Sequence, residues 1–144
     1  MTWMRIHNMG VFLDTGFLIA LKNNDDKNFN PAQSWMKRFL KNEFGEIYTS
    51  TFVFDEVVTL ALVRLKNIKF AKDMGSYLLS SPRINLIEVT KEDFKKAWEF
   101  FKKYGNKRLS FTDCTIIALY NRLGCKFLGT FDHHFKGILP TNIS

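Results

Sequence analysis

Short apolar runs alternate with longer amphipathic segments along most of the chain. The runs VFL (11–13), EIYTS (46–50), INLIEV (84–89) and KFLGT (126–130) have the length and composition typical of strands. The segments between them carry apolar residues at helical spacing. Because strands alternate with helices, the pattern predicts an α/β domain with a mainly parallel sheet, and we expect residues 1–144 to form a single domain.

The amphipathic segments predict six helices, and their ends carry recognisable signals. The predicted helices are TGFLIALKNN (15–24), PAQSWMKRFLKNEF (31–44), about 52–66, roughly 69–80, KEDFKKAWEFFKKYG (91–105) and the segment after Ser110. Pro31 is expected at the first helical position, and Pro82 should close the fourth helix. The tail segment GIL (137–139) is a candidate for an additional edge strand.

Four acidic residues fall near strand ends or helix starts in this prediction. Asp14 directly follows the first strand, Glu56 lies in the first turns of the helix after the second strand, and Asp132 lies just beyond the fourth. Strand carboxyl ends and the helix starts that follow them share one edge of a parallel sheet, so these three acids should meet there. Asp113 joins them if its helix also begins at that edge.

Carboxylates that are crowded together repel one another, and a hard cation best explains why a fold would gather four of them. Oxygen ligands favour Mg²⁺ or Mn²⁺ over zinc. The rest of the chain is basic, with 21 Lys and Arg against 14 Asp and Glu and a net charge of +7. An acidic site within a basic surface suits phosphodiester hydrolysis, because the surface holds the polyanion while the metal activates water.

Each acid also has a purely structural interpretation. Asp14 could cap the following helix, Asp113 could complete the capping box that SFTD (110–113) begins, and Asp132 could be a turn residue. Glu56 could be solvated, and Asp55 competes with it for the site because a shift of one residue turns a helical side chain by about 100°. The four positions together favour the site over these separate explanations.

The composition indicates whether the chain can form a core and in which cellular environment it is expected. Hydrophobic residues make up 46% of the chain, which is ample for a core. Cys114 and Cys125 match no metal-site spacing, so buried reduced thiols are expected. The start MTWMRIHNMGVFLDTG has no apolar stretch of signal-peptide length, and no run reaches the ~18 apolar residues of a membrane span. We therefore expect a soluble cytoplasmic protein.

Four motifs resemble those of the PIN-domain nuclease family, which includes the VapC-type toxin ribonucleases. They are VFLDTGFLIAL, STFVFDEVVTL, LSFTDCTIIALY and FLGTFDHHF, and they occur in family order from about residue 10 to 137. The resemblance implies a three-layer Rossmann-like fold and RNA cleavage that depends on Mg²⁺ or Mn²⁺. The residues that it implicates are the metal ligands Asp14, Glu56, Asp113 and Asp132, with Thr15 and Thr112 as polar neighbours of the site.

The resemblance also implies partners: RNA, an antitoxin protein and a second copy of the chain in a homodimer. Gly16 departs from the family, which often has Ser or Asn there. An aspartyl-phosphate phosphatase or a receiver-type signalling domain would need a further acid after the first strand, which LDTG does not supply. The alternatives that stay open are a PIN-like RNA-binding or scaffold domain without activity, and a nuclease that acts on DNA.

Other basic and aromatic residues are weaker candidates. Lys103, Lys107 and Arg108 flank the loop before Asp113 and are candidates for RNA binding. Adjacent side chains rarely converge on one metal, so His133 and His134 are interpreted as an exposed turn. The remaining interpretations are core or dimer packing for Phe94, Trp98, Phe100 and Phe101, and a plain surface role for Arg64, Lys66, Lys69 and Lys72.

Overall fold

A four-stranded parallel sheet lies at the centre of the fold. The structure is a computed structural model, and it describes residues 10–41 and 43–143. The strands are β1 (Gly10–Leu13), β2 (Glu46–Ser50), β3 (Ile84–Ile87) and β4 (Phe127–Gly129). Their spatial order is β3-β2-β1-β4, and every pairing is parallel. The first nine residues, which contain most of the segment used to argue against a signal peptide, lie outside the described residues.

Six α-helices connect and flank the strands, which gives three layers and confirms the predicted α/β class. They are α1 (Thr15–Lys22), α2 (Phe29–Leu40), α3 (Thr51–Val63), α4 (Ile68–Ser80), α5 (Lys91–Tyr104) and α6 (Phe111–Leu123). Two 3₁₀ turns, Gly105–Lys107 and His133–Phe135, complete the chain. None of the helices in the described ranges is long and apolar enough to cross a membrane.

Two local predictions were wrong. Helix α2 begins at Phe29, two residues before Pro31, so the proline lies inside the first turn. The segment GIL (137–139) forms a turn and not a strand, since Gly137 has φ of 81° and the backbone N–H groups of residues 138 and 139 bond back to Phe135. The chain pairs with β4 slightly later, through a single bridge from Thr141 to Leu128.

The core fills the spaces between the sheet and the helices with fully buried aromatic and aliphatic side chains. Phe12, Phe17, Phe39 and Phe135 are all inaccessible to solvent. The packing leaves no room for a side chain at Gly129, the last residue of β4, where a Cβ atom would lie 2.7 Å from a methyl group of Leu13. Glycine at this position therefore lets β4 approach β1 closely, directly below the ends of both strands.

Helix α6 is fastened to α5 by an ion pair between Arg122 and Asp93. The guanidinium donates to both carboxylate oxygens at 2.9 Å, and Asp93 also completes a capping box with Thr90 at the start of α5. Burial alone would raise the pKa of Asp93, but these hydrogen bonds outweigh it and hold that pKa below its usual range. The bidentate geometry fixes the orientation of α6 on α5.

The structure divides the aromatic residues of α5 into two groups. Phe100 and Phe101 pack against the core, which confirms the core interpretation for them. Phe94 and Trp98 are each 50% exposed, so they do not belong to the core.

The two cysteines are free and buried, as expected. Burial raises the pKa of the Cys114 thiol to about 11 and that of the Cys125 thiol to about 12.

Replacing Gly129 with Ala should destabilise the protein by about 1–3 kcal/mol, because the buried neighbours of the new methyl group have little room to move. Phe39 and Phe17 lie only 3.4 and 3.5 Å from the Cβ position, in addition to Leu13. Urea unfolding measures the difference. Gly105→Ala is the matched control, since Gly105 has helical φ and nothing within 4 Å of its Cβ position. Equal stability of the two variants would contradict the packing argument.

Candidate active site

A cavity of about 940 Å³ opens where β1 and β4 end. Its lining is strongly acidic, with six of the chain's 14 Asp and Glu residues and two basic residues. The acidic lining residues are Asp14, Asp25, Asp26, Glu56, Asp113 and Asp132, and the basic ones are Lys27 and Arg64. We call this the carboxylate cavity. All four acids that the sequence singled out therefore line one space.

Asp14 lies deepest, at the end of the central strand β1, and is only 4% exposed. It caps helix α1 by accepting a hydrogen bond from the Phe17 N–H at 2.8 Å through Oδ1. Its Oδ2 accepts a short hydrogen bond from the hydroxyl of Thr130. Because a carboxylate offers about four acceptor positions, both oxygens retain capacity toward the cavity. The cap and the site are compatible roles for Asp14.

Glu56, and not Asp55, faces the cavity. Glu56 is partly buried and lines the cavity, whereas Asp55 is exposed and is not among the lining residues. The hydroxyl of Thr15 donates a hydrogen bond of 2.5 Å to Oε1 of Glu56. Thr15 is the first residue of α1, so this bond joins the starts of the two helices that follow β1 and β2.

Asp113 closes the start of α6 and lines the cavity at the same time. Its backbone N–H donates to the Ser110 hydroxyl, and the Ser110 N–H donates to Oδ2 of Asp113, both at 3.0 Å. The capping box that SFTD predicts is therefore confirmed. It engages Oδ2, so Oδ1 is not needed for the cap.

Asp132 follows β4 and is held in place by Thr130 and His134. Its backbone N–H donates to the Thr130 hydroxyl at 2.9 Å, the same hydroxyl that donates to Asp14. Its Oδ1 accepts the His134 backbone N–H at 2.8 Å and lies 2.9 Å from His134 Nδ1. Thr130 thus connects two of the four acids. Sequence reasoning missed its role, although it is the threonine of the TFD motif.

Burial and mutual repulsion disfavour ionisation of the deeper acids. Burial raises the pKa of Asp14 to about 7; hydrogen bonds from Thr130 and Phe17 oppose the rise, and the charges of Asp113 and Asp132 add to it. The pKa of Asp113 rises to about 6, mainly through burial, with further contributions from the charges of Asp132 and Glu56. These carboxylates therefore sense one another's charge across the cavity.

The donors in the cavity suit a hard divalent cation that keeps part of its water shell. No three His, Cys, Asp or Glu side chains within residues 10–41 and 43–143 are close enough to enclose a metal ion as they stand. Mg²⁺-type ions need no such enclosure, because they usually retain several waters and bind through one or two carboxylates. The repulsion among Asp14, Asp113 and Asp132 is the local feature that a cation would relieve.

Several lining residues were not predicted. Asp25 and Asp26 come from the turn after α1, where their backbone and side chains make local turn hydrogen bonds. The polar run NNDDKN signalled only a helix end. Arg64 was interpreted as plain surface; it is exposed but lines the cavity from the end of α3, one turn after Leu60. Only the relative placement of α1 and α3 reveals these contributions.

Thr112 and the basic candidates lie outside the carboxylate cavity. Thr112 precedes Asp113 in α6 but is not among the described lining residues, and its carbonyl accepts a hydrogen bond from Thr115. Lys103 lies over the ring of Tyr104, with 5.2 Å from its Nζ to the ring centroid. Lys107 and Arg108 line a separate, smaller cleft.

Comparisons with known proteins agree on one family. The model of the PIN domain family matches residues 11–138, which is most of the chain. The 23S rRNA-specific endonuclease VapC20 of Mycobacterium tuberculosis is 29% identical over 126 residues, covering 88% of this chain and 92% of the relative. The match confirms the resemblance that the four motifs suggested.

Solved structures show the same fold. The crystal structure of M. tuberculosis VapC20, described as a Sarcin-Ricin loop cleaving toxin, has a TM-score of 0.75 and 27% identity, covering 87% of this chain and 92% of that one. VapBC2 from Rickettsia felis, bound to a promoter DNA fragment, has a TM-score of 0.69 and 19% identity, and the match covers 92% of this chain and 97% of that chain. The second similarity concerns the fold alone.

Without divalent metal, stability should fall as the pH rises from about 4 to about 7. Asp14 and Asp113 have pKa values of about 7 and about 6 in the folded state, against an ordinary value of 3.8. Between these pH values the folded state therefore binds more protons than the unfolded state. The free energy of unfolding should then decrease with a slope of up to about 1.4 kcal/mol per pH unit for each of these two carboxyl groups. Urea unfolding in EDTA at several pH values measures it.

The matched variant for this measurement is Asp14→Asn, which keeps the side-chain shape but cannot ionise. It should remove the contribution of Asp14 between pH 3.8 and about 7 and leave the smaller contribution of Asp113, which ends near pH 6. Asp55→Asn, on the exposed face of α3, should leave the dependence unchanged. Stability that instead rises across this range in the wild type would contradict the raised pKa values.

Proposed function

Since the chain belongs to the PIN domain family, we propose that it is an endoribonuclease that hydrolyses RNA phosphodiester bonds with Mg²⁺ or Mn²⁺. The observation that carries the proposal is the convergence of Asp14, Glu56, Asp113 and Asp132 on one cavity. Similarity to an endonuclease over most of both chains supports the coarser assignment to phosphodiester-cleaving hydrolases.

The four acids would hold the cation, one or two of them directly and the others through the waters that it retains. Asp14 is the most rigid of them, because it is buried and fixed by Phe17 and Thr130. When bound, the cation would activate water and neutralise charge on the phosphate that is cleaved. The protein's own part is to orient the carboxylates before substrate arrives, through the hydroxyls of Thr15 and Thr130.

Arg64 and Lys27 give the cavity its positive charge. Both are exposed side chains on the cavity wall, on the end of α3 and on the turn after α1, respectively. A phosphodiester that enters a space lined by six carboxylates needs cations to offset repulsion, and these two side chains are suited to contact its non-bridging oxygens. We therefore include them in the proposed substrate-binding surface.

The proposed partners follow from the relatives. VapC20 is a 23S rRNA-specific endonuclease, and one solved structure with the same fold is a toxin–antitoxin complex from Klebsiella pneumoniae. We infer that this chain acts on a structured RNA and is the toxin of a toxin–antitoxin pair, with an antitoxin protein as its partner. The net charge of +7 is consistent with an RNA substrate.

Metal binding is testable without knowing the substrate. Excess Mn²⁺ should stabilise the wild type, by roughly 2.7 kcal/mol at one hundred times the dissociation constant. Asp113→Asn should reduce this stabilisation, since Asn retains an oxygen for the cap but loses the charge. Thermal unfolding with and without Mn²⁺ measures both.

Ser110→Ala is the control for the metal measurement, because Ser110 caps α6 at the edge of the same cavity. It should lower stability by about 1 kcal/mol and leave the Mn²⁺-dependent increase intact. If Mn²⁺ does not stabilise the wild type, and Asp113→Asn is destabilised like Ser110→Ala, Asp113 is a cap alone and the domain without activity becomes the better explanation.

Cleavage itself should depend on Glu56 and not on its neighbour Asp55. Glu56→Gln should reduce the cleavage rate by about 100-fold or more, since removing a group that only orients a metal ligand already costs about 10–100-fold. Asp55→Asn, which changes the charge of an exposed residue by the same amount, should retain full activity. Cleavage of purified ribosomal RNA with Mn²⁺, followed by primer extension to map the cut, provides the measurement.

A further inference from the structure

A second, smaller cleft of about 290 Å³ adjoins the carboxylate cavity, and its lining is entirely polar or basic. It forms between the 3₁₀ turn Gly105–Lys107 and the 3₁₀ turn His133–Phe135, and neither turn belongs to the sheet. The lining residues are Asn106, Lys107, Arg108, His133, His134 and Lys136. We call this the basic cleft.

The charge of the basic cleft is opposite to that of the carboxylate cavity. Lys107, Arg108 and Lys136 carry three permanent positive charges, and no acidic residue is among the described residues that line the cleft. Asn106 and the two histidines add hydrogen-bonding groups without negative charge. Such a lining favours an anion with several acceptor oxygens, for which a phosphate group is the best match.

The cleft is a fixed feature of the fold although its walls are exposed turns. Leu109, directly after Arg108, is 3% exposed, and Phe135, between His134 and Lys136, is fully buried. These two side chains anchor both walls in the core. Arg108 itself has φ of 62°, a left-handed conformation that is uncommon for residues other than Gly and persists only where the surroundings impose it.

Asp132 and His133 form the boundary between the two spaces. Asp132 lines the carboxylate cavity and His133 lines the basic cleft, and their Cα atoms are about 3.8 Å apart across one peptide bond. His134 also reaches across the boundary, since its Nδ1 lies 2.9 Å from Oδ1 of Asp132. A chain of phosphates that enters one space is therefore within reach of the other.

We propose that the basic cleft binds a backbone phosphate of the RNA next to the one that is cleaved, and so positions the strand across the carboxylate cavity. The proposal rests on the proposed function for the identity of the polymer, but the affinity of the cleft for phosphate is independent of it. Lys107, Arg108, His133, His134 and Lys136 are positioning residues in this scheme. Lys103 is not part of the cleft, because it lies over Tyr104.

The test removes two charges from the cleft and adds no backbone strain at residue 108. The double variant is Lys107→Gln/Arg108→Asn, since Asn tolerates the left-handed conformation better than most residues. The matched control is Lys37→Gln/Lys72→Gln, which removes the same charge from exposed positions of α2 and α4 that line neither space. Thermal unfolding establishes that both variants are folded.

Binding of a fluorescein-labelled hairpin RNA is measured by fluorescence anisotropy in EDTA, where metal-dependent cleavage cannot occur. The cleft variant should bind about tenfold more weakly than the wild type, and the slope of log K against log salt should become shallower by about 0.7–0.9 for each phosphate that the variant no longer neutralises. The control variant should show a much smaller loss of affinity and a much smaller change in the salt slope. Equal losses of affinity in the two variants would overturn the proposal, because they would reflect net charge alone.

A second measurement separates this inference from the proposed function. Tripolyphosphate is titrated into the wild-type protein, and the imidazole resonances of His133 and His134 are followed by NMR. Both should shift at concentrations that leave them unshifted in the cleft variant. If they do not shift in the wild type, the basic cleft does not bind phosphate, whatever the RNA result. If they shift but the wild type does not bind RNA, the cleft binds phosphate without holding the RNA backbone, which overturns its positioning role, while the proposed function is decided separately by the Mn²⁺-dependent cleavage measurement with Glu56→Gln.

Discussion

The burial of one carboxylate, Asp14, at the end of the central strand β1 is the constraint on which the site depends. Burial is the main reason that the pKa of Asp14 rises to about 7, and the neighbouring charges of Asp113 and Asp132 contribute to the same rise. A fold would not keep this arrangement for stability, because the protein must hold like charges together in a poorly solvated place. The hydrogen bonds from Phe17 and Thr130 offset part of the cost and fix the carboxylate in position.

Most of the surrounding structure serves to bring other groups to that carboxylate. The strand order β3-β2-β1-β4 places the ends of β2 and β4 on the two sides of β1. Gly129 lets β4 approach closely, so that Thr130 can bridge Asp14 and the backbone of Asp132. On the other side, Thr15 connects the start of α1 to Glu56 of α3. The result is an acidic cavity whose carboxylates belong to strand ends and helix starts, which limits how far each can move.

The acidic cavity and the basic cleft beside it have opposite effects on a phosphate group. A positive surface attracts RNA, whereas the acidic cavity repels phosphates unless a cation offsets its charge. The basic cleft, with Lys107 and Arg108 on one wall and Lys136 on the other, offers a favourable place for phosphate directly beside the acids. Metal binding and substrate positioning would then be separate functions of adjacent surfaces, joined at the Asp132–His133 peptide.

The differences between expectation and structure have identifiable physical causes. The GIL segment has the apolar content of a strand, but Gly137 turns the chain and Phe135 captures the following N–H groups. Phe94 and Trp98 follow the same helical spacing as buried aromatics, and periodicity alone does not show how far the core extends along α5. No local sequence pattern predicts that the exposed Arg64 lies at the cavity, because its position there depends on where α3 ends relative to α1.

The sequence by itself determined the α/β class, the mainly parallel sheet, the capping box at SFTD and the placement of Asp14 and Asp132 directly beyond strand ends. These features follow from local spacing and from the rule that parallel strands end at one edge. Only the tertiary structure decided that Glu56 and not Asp55 faces inward, that Asp25 and Asp26 join the cavity, and that the two 3₁₀ turns form a basic cleft. Those facts depend on the rotation of a helix and on the distance between loops far apart in the chain, and neither is encoded in local periodicity.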